Sequence, residues 1–228
     1  IDPLMSRMGK FEEFKGDSSE IIVDEALKYI TSHKAGPFFT VIWYGSPHDP
    51  FHAYEEDMAP FKDLPEDERN QLGELVALDR SVGTLRKGLR DLGIADNTLV
   101  WYCSDNGGLP KFWPSSVGGL RGHKTTIWEG GLRVPGIIEW PAVIKEGRII
   151  KHPAGVVDIF PTVLDILGMD TSSMLRPHDG MSIKHIIEGD TGDVRPKPLG
   201  FHTDGRVAIV DNDYKLVTEN LDEGIFQL

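Results

Sequence analysis

Asp105 and Asn106 stand side by side one residue after the apolar run Thr98–Cys103, and two glycines, Gly107 and Gly108, follow them. An adjacent carboxylate and amide oxygen suit a hard cation such as Ca²⁺ or Mg²⁺. The glycines let the backbone turn sharply and let a ligand come close. The same residues also form an ordinary turn sequence, and two oxygens do not complete a shell of roughly 6–8 ligands.

His48 and Lys124 are the other two side chains suited to chemistry. His48 lies in Ser46-Pro-His-Asp-Pro50, one residue after the apolar run Phe38–Tyr44. An imidazole can donate a proton to a leaving group near neutral pH. Lys124 lies on a glycine-flanked stretch, where its ammonium group can reach an anionic oxygen as a point charge. Taken one at a time, a plain loop histidine and a solvated lysine are the better interpretations.

Apolar patterning places these residues on loops that follow strands. Phe38–Tyr44 and Thr98–Cys103 lack alternation and are rich in β-branched and aromatic residues, which predicts strands buried on both faces. Strands alternating with helices predict an α/β sheet, and ligands of such sheets bind beyond the carboxyl ends of the strands.

Helical spacing predicts one helix that starts at Ser18 and ends before Gly36, and a second helix from Glu66 to Leu92. The buried face predicted for the second helix consists of Leu72, Leu75, Val76, Val82, Leu85, Leu89 and Leu92. The remaining predicted elements are a strand over Val134–Trp140, a helix over Asp158–Leu167, and an antiparallel hairpin of Arg206–Val210 with Tyr214–Val217.

Composition excludes several classes of protein. Lys and Arg total 24 and Asp and Glu total 36, so the formal net charge is −12, which argues against a nucleic-acid partner. No apolar run approaches the ~20 residues of a membrane span. The single cysteine, Cys103, excludes an internal disulfide and a multi-cysteine zinc site, and we expect it to be a buried core thiol rather than a nucleophile.

The order and spacing of several motifs resemble the sulfatase family of the alkaline-phosphatase superfamily, from about residue 20 to the end of the sequence. Each motif is weak alone, and their succession is specific. The matching stretches are Pro37–Phe39, Pro47–Pro50, Leu78–Gly83, Ser104–Gly107, Leu120–Lys124, Trp128–Pro135, Val157–Gly168, Asp179–Ser182 and Tyr214–Leu216.

The resemblance implies hydrolysis of sulfate esters by a formylglycine nucleophile, with Ca²⁺, or alternatively Mg²⁺, as the metal. It makes Asp105 and Asn106 metal ligands, and Lys124 a catalytic residue that binds the sulfate. His48 is then expected to bind sulfate and to protonate the leaving oxygen. The implied fold is a partial, alkaline-phosphatase-like α/β/α sandwich over residues 1–196, followed over residues 197–228 by the start of a small antiparallel C-terminal subdomain.

Two elements of the family pattern do not occur in this sequence. Neither the Cys/Ser-x-Pro-x-Arg motif, from which formylglycine is made, nor an adjacent aspartate pair is found. The family places both N-terminal to the stretches matched here. The sequence starts with Ile1 and ends with the apolar stretch Gly224–Leu228. We therefore expect a fragment that is inactive by itself, from a periplasmic or secreted enzyme acting on a small-molecule or glycan sulfate ester. The alternatives are a phosphomonoesterase or phosphonate hydrolase of the same superfamily, and a non-catalytic anion- or glycan-binding relative.

Overall fold

The chain folds into two compact units, which are residues Ile1–Thr98 and Leu99–Leu228. The computed structural model describes residues 1–112, 115–190 and 194–228. Both units combine helices with antiparallel strands, so the mixed α/β class expected from the sequence is confirmed. The predicted boundary between residues 196 and 197 is a different division of the chain and stays a prediction. Within the described ranges, no helix has the length and apolar character needed to cross a membrane.

The first unit contains a short hairpin and two packed helices. Strands β1 (Leu4–Arg7) and β2 (Lys10–Glu13) pair antiparallel. Helix α1 (Ser18–His33), the short helix α2 (Glu55–Met58) and helix α3 (Glu66–Asp91) follow. The Asp17 carboxylate caps α1 by accepting hydrogen bonds from the first backbone N–H groups of the helix. Both long helices predicted from the periodicity are thus confirmed.

The buried face of α3 differs from the leucine-rich face predicted for it, because Leu75 is 39% exposed. Small residues let neighbouring segments approach the helix closely. A Cβ atom added to Gly73 would lie 2.5 Å from the Cβ of Ala53, and one added to Gly88 would lie 2.5 Å from a methyl of Leu27. The face that α3 buries consists of Gly73, Glu74, Ala77, Leu78, Ser81, Leu85 and Leu89.

The strand predicted over Phe38–Tyr44 is not formed. Exposure alternates along the segment: Phe39, Val41 and Trp43 are 67%, 56% and 84% exposed, and the residues between them are half-buried. The half-buried side includes Tyr44, whose hydroxyl accepts a hydrogen bond from Ser81 on α3 at 3.3 Å. Within the described part of the chain no strand pairs with this segment, so it lacks the backbone hydrogen bonds that define a strand.

The second unit contains two separate antiparallel sheets. Strand β3 (Val100–Cys103) pairs with β4 (Gly136–Glu139), so strands occur where the sequence predicted them, although β3 is half-buried rather than buried on both faces. Helices α4 (Glu129–Leu132), α5 (Ile159–Ile166) and α6 (Lys184–Glu188) complete the unit. The C-terminal sheet consists of β5 (Leu199–Thr203), β6 (Arg206–Asp211) and β7 (Tyr214–Thr218), and it contains the predicted hairpin.

A completely buried ion pair organises the polar interior of the second unit. The side chains of Asp158 and Arg195 are both 0% exposed and form two hydrogen bonds, of 2.8 and 2.9 Å. Asp158 also accepts hydrogen bonds from the backbone N–H groups of Gly155 and Met181, each at 2.8 Å, and Arg195 donates to the carbonyl of Lys197 at 2.6 Å. A buried pair is stable when such additional hydrogen bonds satisfy the remaining lone pairs and protons.

We expect Asp158→Asn to lower the free energy of unfolding by about 3–5 kcal/mol, because it leaves the buried Arg195 charge without a counter-charge. Urea denaturation followed by circular dichroism measures the effect. The matched control is Glu188→Gln in the same unit, which removes an exposed pair with Lys184 at 4.0 Å and should cost less than about 1 kcal/mol. A similar, small cost for both variants would contradict the role given to the buried pair.

Candidate active site

Asp105 and Asn106 lie on the loop that follows β3, residues 104–108, which we name the Asp105 loop. Asp105 is exposed and Asn106 is half-buried. The Asn106 side-chain amide donates a hydrogen bond to the Asp105 carboxylate at 2.6 Å, and the Ser104 hydroxyl donates to the Asn106 carbonyl at 3.0 Å. The two oxygen-bearing side chains are therefore held next to each other at the end of the strand.

Cys103 ends β3 directly before this loop. Burial raises the pKa of its thiol, and the nearby charge of Asp105 raises it further. A raised pKa keeps the sulfur protonated at neutral pH, whereas a nucleophilic cysteine needs a lowered one. This agrees with the interpretation of Cys103 as a structural thiol rather than a nucleophile, although the residue is half-buried and not in the buried core as expected.

Lys124 lies on the loop of residues 121–128, which we name the Lys124 loop. Its backbone N–H donates to the carbonyl of Gly108 at 2.8 Å, so residue 124 is hydrogen-bonded directly to the Asp105 loop. Gly107 donates to the carbonyl of Gly131 at 3.0 Å, just beyond the Lys124 loop. The structure thus brings the loops of three predicted site residues together, while the roles of Asp105, Asn106 and Lys124 stay predictions.

The contact between the two loops depends on glycines that have no room for a side chain. A Cβ atom on Gly107 would lie 1.8 Å from the carbonyl oxygen of Gly130, and one on Gly130 would lie 2.0 Å from that of Gly122. Gly130 also donates a backbone hydrogen bond to the Arg121 carbonyl at 2.7 Å. Glycine is therefore required here for close approach of two backbones, in addition to the sharp turns that the sequence suggested.

Gly107→Ala should separate the two loops and lower the free energy of unfolding by about 1–3 kcal/mol, the usual cost of forcing atoms into a packed region. Urea denaturation measures the loss, and the amide chemical shift of Lys124 reports the displacement. Gly136→Ala is the matched control in β4, since a Cβ there meets nothing within 4 Å. An unchanged Lys124 amide shift in the Gly107 variant would show that the loops are not joined in this way.

The backbone around Lys124 is strained and tightly hydrogen-bonded. Thr125 has a φ of 76°, an unusual value for a β-branched residue. The ring Nδ1 of His123 donates to the Lys124 carbonyl at 2.7 Å, and the Thr126 hydroxyl donates to the His123 carbonyl at 2.8 Å. The adjacency of His123 and Lys124 in the sequence was the signal available for this contact.

His48 belongs to the first unit, and its convergence with Asp105, Asn106 and Lys124 stays a prediction. Its side chain is exposed, and its Nδ1 lies 2.8 Å from the carbonyl oxygen of Asp49. A carbonyl only accepts hydrogen bonds, so Nδ1 carries a hydrogen. With Nδ1 as the donor, Nε2 is the acceptor nitrogen of the neutral ring.

A buried carboxyl group that sequence reasoning missed orders the residues after His48. Glu74, 5% exposed on α3, accepts a hydrogen bond from the backbone N–H of His52 at 2.8 Å. Asn70, one helical turn earlier, accepts from Ala53 N–H at 3.1 Å. Burial raises the pKa of Glu74, and this effect outweighs the opposing hydrogen bonds from His52 and Ser46. The predicted buried face of α3 was defined by apolar residues alone, so it did not include the buried Glu74 among them.

The raised pKa of Glu74 makes stability depend on pH. The folded state binds the Glu74 proton more tightly than the unfolded state does. The stability that this proton contributes is fully present below the ordinary glutamate pKa, and it is lost as the pH rises through the pKa of Glu74 in the folded state. The stability of the wild type relative to Glu74→Gln should therefore fall between pH 4.5 and pH 7. Urea denaturation at both values measures it. The control is Glu13→Gln, which removes an exposed carboxyl group of the same unit. The same change of relative stability with pH for both variants would contradict the role given to Glu74.

The donor chemistry of Asp105 and Asn106 fits part of a cation shell. Both offer hard oxygen atoms, which Ca²⁺ and Mg²⁺ prefer. Among the described residues, no three or more His, Cys, Asp or Glu side chains are grouped so that they can hold a metal ion. These two residues therefore suit a share of an oxygen shell rather than all of it.

Comparison with known proteins identifies the family. The family model described as Sulfatase matches residues 3–169. The chain belongs to the sulfatase family. The resemblance inferred from the sequence motifs is thereby confirmed, and the joined Asp105 and Lys124 loops are features of a sulfatase-family chain.

Two curated relatives illustrate the similarity. Human arylsulfatase D is 30% identical over 180 residues, which cover 75% of this chain and 29% of that protein. The N-acetylgalactosamine-6-sulfatase of the dog Canis lupus familiaris is 31% identical over 220 residues, which cover 90% of this chain and 40% of that protein. The chain thus spans well under half of the length of these sulfatases.

Solved structures show the same relationship. The crystal structure of Ps i-CgsB in complex with k-i-k-neocarrahexaose has a TM-score of 0.83 and 28% identity, over 99% of this chain and 51% of that chain. The phosphonate monoester hydrolase SpPMH from Silicibacter pomeroyi has a TM-score of 0.62 at 19% identity, a likeness of fold alone.

Proposed function

We propose that this chain is the C-terminal part of a metal-dependent, formylglycine-type sulfatase that hydrolyses sulfate esters. The observation that carries the proposal is the backbone contact that joins Lys124 to the Asp105 loop in a member of the sulfatase family. This contact supports one anion-binding site that has a lysine on one side and oxygen ligands for a cation on the other. The nucleophile would come from residues outside this sequence, so we expect the chain alone to be inactive.

Asp105 and Asn106 would contribute a carboxylate and an amide oxygen to Ca²⁺, or alternatively Mg²⁺. When bound, the cation supplies positive charge that stabilises the sulfuryl oxygens in the transition state. The Lys124 ammonium group would bind a sulfuryl oxygen and stabilise the same charge. The net charge of −12 does not oppose this, because the local charge of a cleft decides which ligands it attracts.

His48 would act as the general acid. As the bond between sulfur and the ester oxygen breaks, negative charge would build up on that oxygen. The Nε2–H of the imidazolium donates its proton to the departing oxygen, and His48 is left neutral with its Nδ1 hydrogen on the Asp49 carbonyl. An alkoxide leaving group needs this proton, because it is unstable as an anion at neutral pH.

The substrate class that we propose is a sulfate ester carried by a glycan or a small molecule. The support is indirect: the name of the dog relative specifies a sulfated sugar, and the Ps i-CgsB structure contains a neocarrahexaose. We infer a periplasmic or secreted location from the family resemblance. A phosphonate hydrolase is less supported, because that likeness is one of fold at 19% identity.

The test compares His48→Ala with Lys124→Ala in the complete enzyme that contains this chain, with nitrophenyl sulfate and an alkyl or sugar sulfate as substrates. His48→Ala should lower kcat/KM for the alkyl sulfate by about 10²–10⁴-fold and for the aryl sulfate much less. Lys124→Ala should lower kcat/KM for both substrates by similar factors, because both carry the same sulfuryl oxygens. His52→Ala, an exposed histidine on the same loop as His48, is the matched control.

Equal losses on both substrates for His48→Ala would remove the general-acid role. Unchanged kinetics for Lys124→Ala would overturn the assignment of the sulfate site. A complete wild-type protein that binds sulfated glycans without turnover would instead be the non-catalytic relative.

A further inference from the structure

The Lys124 loop is fixed by residues far away in the sequence, on the C-terminal sheet. Ile127 is 0% exposed and packs in one cluster with Ala208 on β6 and Val217 on β7. Trp128 packs against the same cluster. The C-terminal sheet therefore provides the apolar surface on which this loop rests.

Polar contacts from the sheet converge on the residues that flank Lys124. The Arg206 guanidinium donates to the Thr125 carbonyl at 3.1 Å and pairs with Glu219 at 3.5 Å. Glu219 also accepts a hydrogen bond from the indole N–H of Trp128. The guanidinium of Arg121 lies 3.3 Å from the Trp128 ring centroid, so the start and the end of the loop are stacked on each other.

Two hydrogen bonds, one to the Asp105 loop and one to the C-terminal sheet, constrain the backbone at residue 124 from opposite sides. Its own N–H is bonded to Gly108 of the Asp105 loop, and the next carbonyl, that of Thr125, is bonded to Arg206. Between them lies the positive φ of Thr125, a conformation that persists only where the surroundings over-determine it. Without Arg206, one of the constraints on this conformation is lost, so the backbone next to Lys124 can relax.

We propose that Arg206 and Glu219 are positioning residues for Lys124: they hold Thr125 in its left-handed conformation and so fix the direction of the lysine that receives the sulfate. This inference rests on the proposed function for the role of Lys124. Arg206 acts through Thr125, and Glu219 acts by orienting the guanidinium of Arg206. Neither is a catalytic residue.

Arginine suits this position better than lysine. One planar guanidinium serves the Thr125 carbonyl with Nη1 and the Glu219 carboxylate with Nε at the same time. A lysine ammonium is a point charge without this fixed fork. The pair is about two-fifths exposed, so its contribution to overall stability should be small, and its effect should appear in the loop.

The first experiment measures hydrogen exchange of the Lys124 amide in the 228-residue chain by NMR. Arg206→Ala should speed this exchange at least tenfold, because the bond to Gly108 opens when the loop relaxes. Glu219→Gln should have a smaller effect in the same direction, since the amide still accepts from Trp128. The matched control is Arg148→Ala, which removes an arginine that donates to the Ile186 and Ile187 carbonyls in the same unit.

Equal exchange of the Lys124 amide in the Arg206 and Arg148 variants would overturn the inference. A uniform increase at all amides of the second unit after Arg206→Ala would overturn it as well, because that pattern means loss of overall stability. Glu219→Gln keeps the test informative if Arg206→Ala does not fold, and an unchanged Lys124 amide in Glu219→Gln would then count against the proposal.

The second experiment is a double-mutant cycle on kcat/KM in the complete enzyme. Arg206→Ala should lower kcat/KM at least tenfold when Lys124 is present and have almost no effect when Lys124 is already alanine. Additive losses would show that Arg206 does not act through Lys124. If faster exchange is found but Lys124→Ala leaves kcat/KM unchanged, the proposed function fails while the loop constraint stands, so the two failures are distinguishable.

Discussion

The buried ion pair of Asp158 and Arg195 is the interaction on which the second unit depends. Through its backbone, Arg195 donates to the Asn212 side chain at 2.8 Å and accepts from it at 3.1 Å, so the pair also fixes the turn between β6 and β7. Those two strands carry Ala208 and Val217, which receive the Lys124 loop. A single desolvated pair thus orders, step by step, the sheet, the loop and finally the hydrogen bond from residue 124 to the Asp105 loop. Packed interiors transmit such constraints because they deform little.

Two buried carboxyl groups show how differently proteins accommodate a desolvated acid. Asp158 is completely enclosed and has a guanidinium plus backbone N–H groups as partners. Glu74 has no arginine or lysine among the groups that shift its pKa, and burial therefore dominates over its hydrogen bonds. Asp158 consequently suits a permanent structural role, whereas the stability that Glu74 contributes depends on its protonation.

Local periodicity predicted the helices well, because a helix satisfies its own backbone and needs only one apolar side. The ends of α3 and the glycine that follows it were predictable on this basis. The strand over Phe38–Tyr44 was not, because a strand forms only with a partner, and apolar character cannot show whether one exists. The buried face of α3 was also mispredicted, because glycine and alanine at close contacts carry no hydrophobic signal.

The candidate site was predictable only as far as its motifs are contiguous. Asp105, Asn106, His48 and Lys124 lie in short stretches, and the resemblance of those stretches to the sulfatase family is what favours them over ordinary loop residues. The residues that hold the Lys124 loop in place do not lie in such stretches. Arg206 and Glu219 lie 82 and 95 residues after Lys124 and belong to no recognisable pattern around the Lys124 loop. The contacts at Gly107 and Gly130 are likewise a property of two backbones meeting in space, which one sequence does not display.

The extended segment that bears Phe39, Val41 and Trp43 has a consequence for how the molecule behaves in solution. Three large apolar side chains lie exposed along one side of a backbone that pairs with no strand in the described residues. Such an edge is a template for another extended chain, and natural proteins usually protect it with charges, prolines or a covering element. Here the nearest proline and glycine lie at the two ends of the segment, at Pro37 and Gly45, and the row itself contains no charge. We therefore expect this row to favour self-association of the chain wherever nothing covers it, although the segment takes no part in the proposed chemistry.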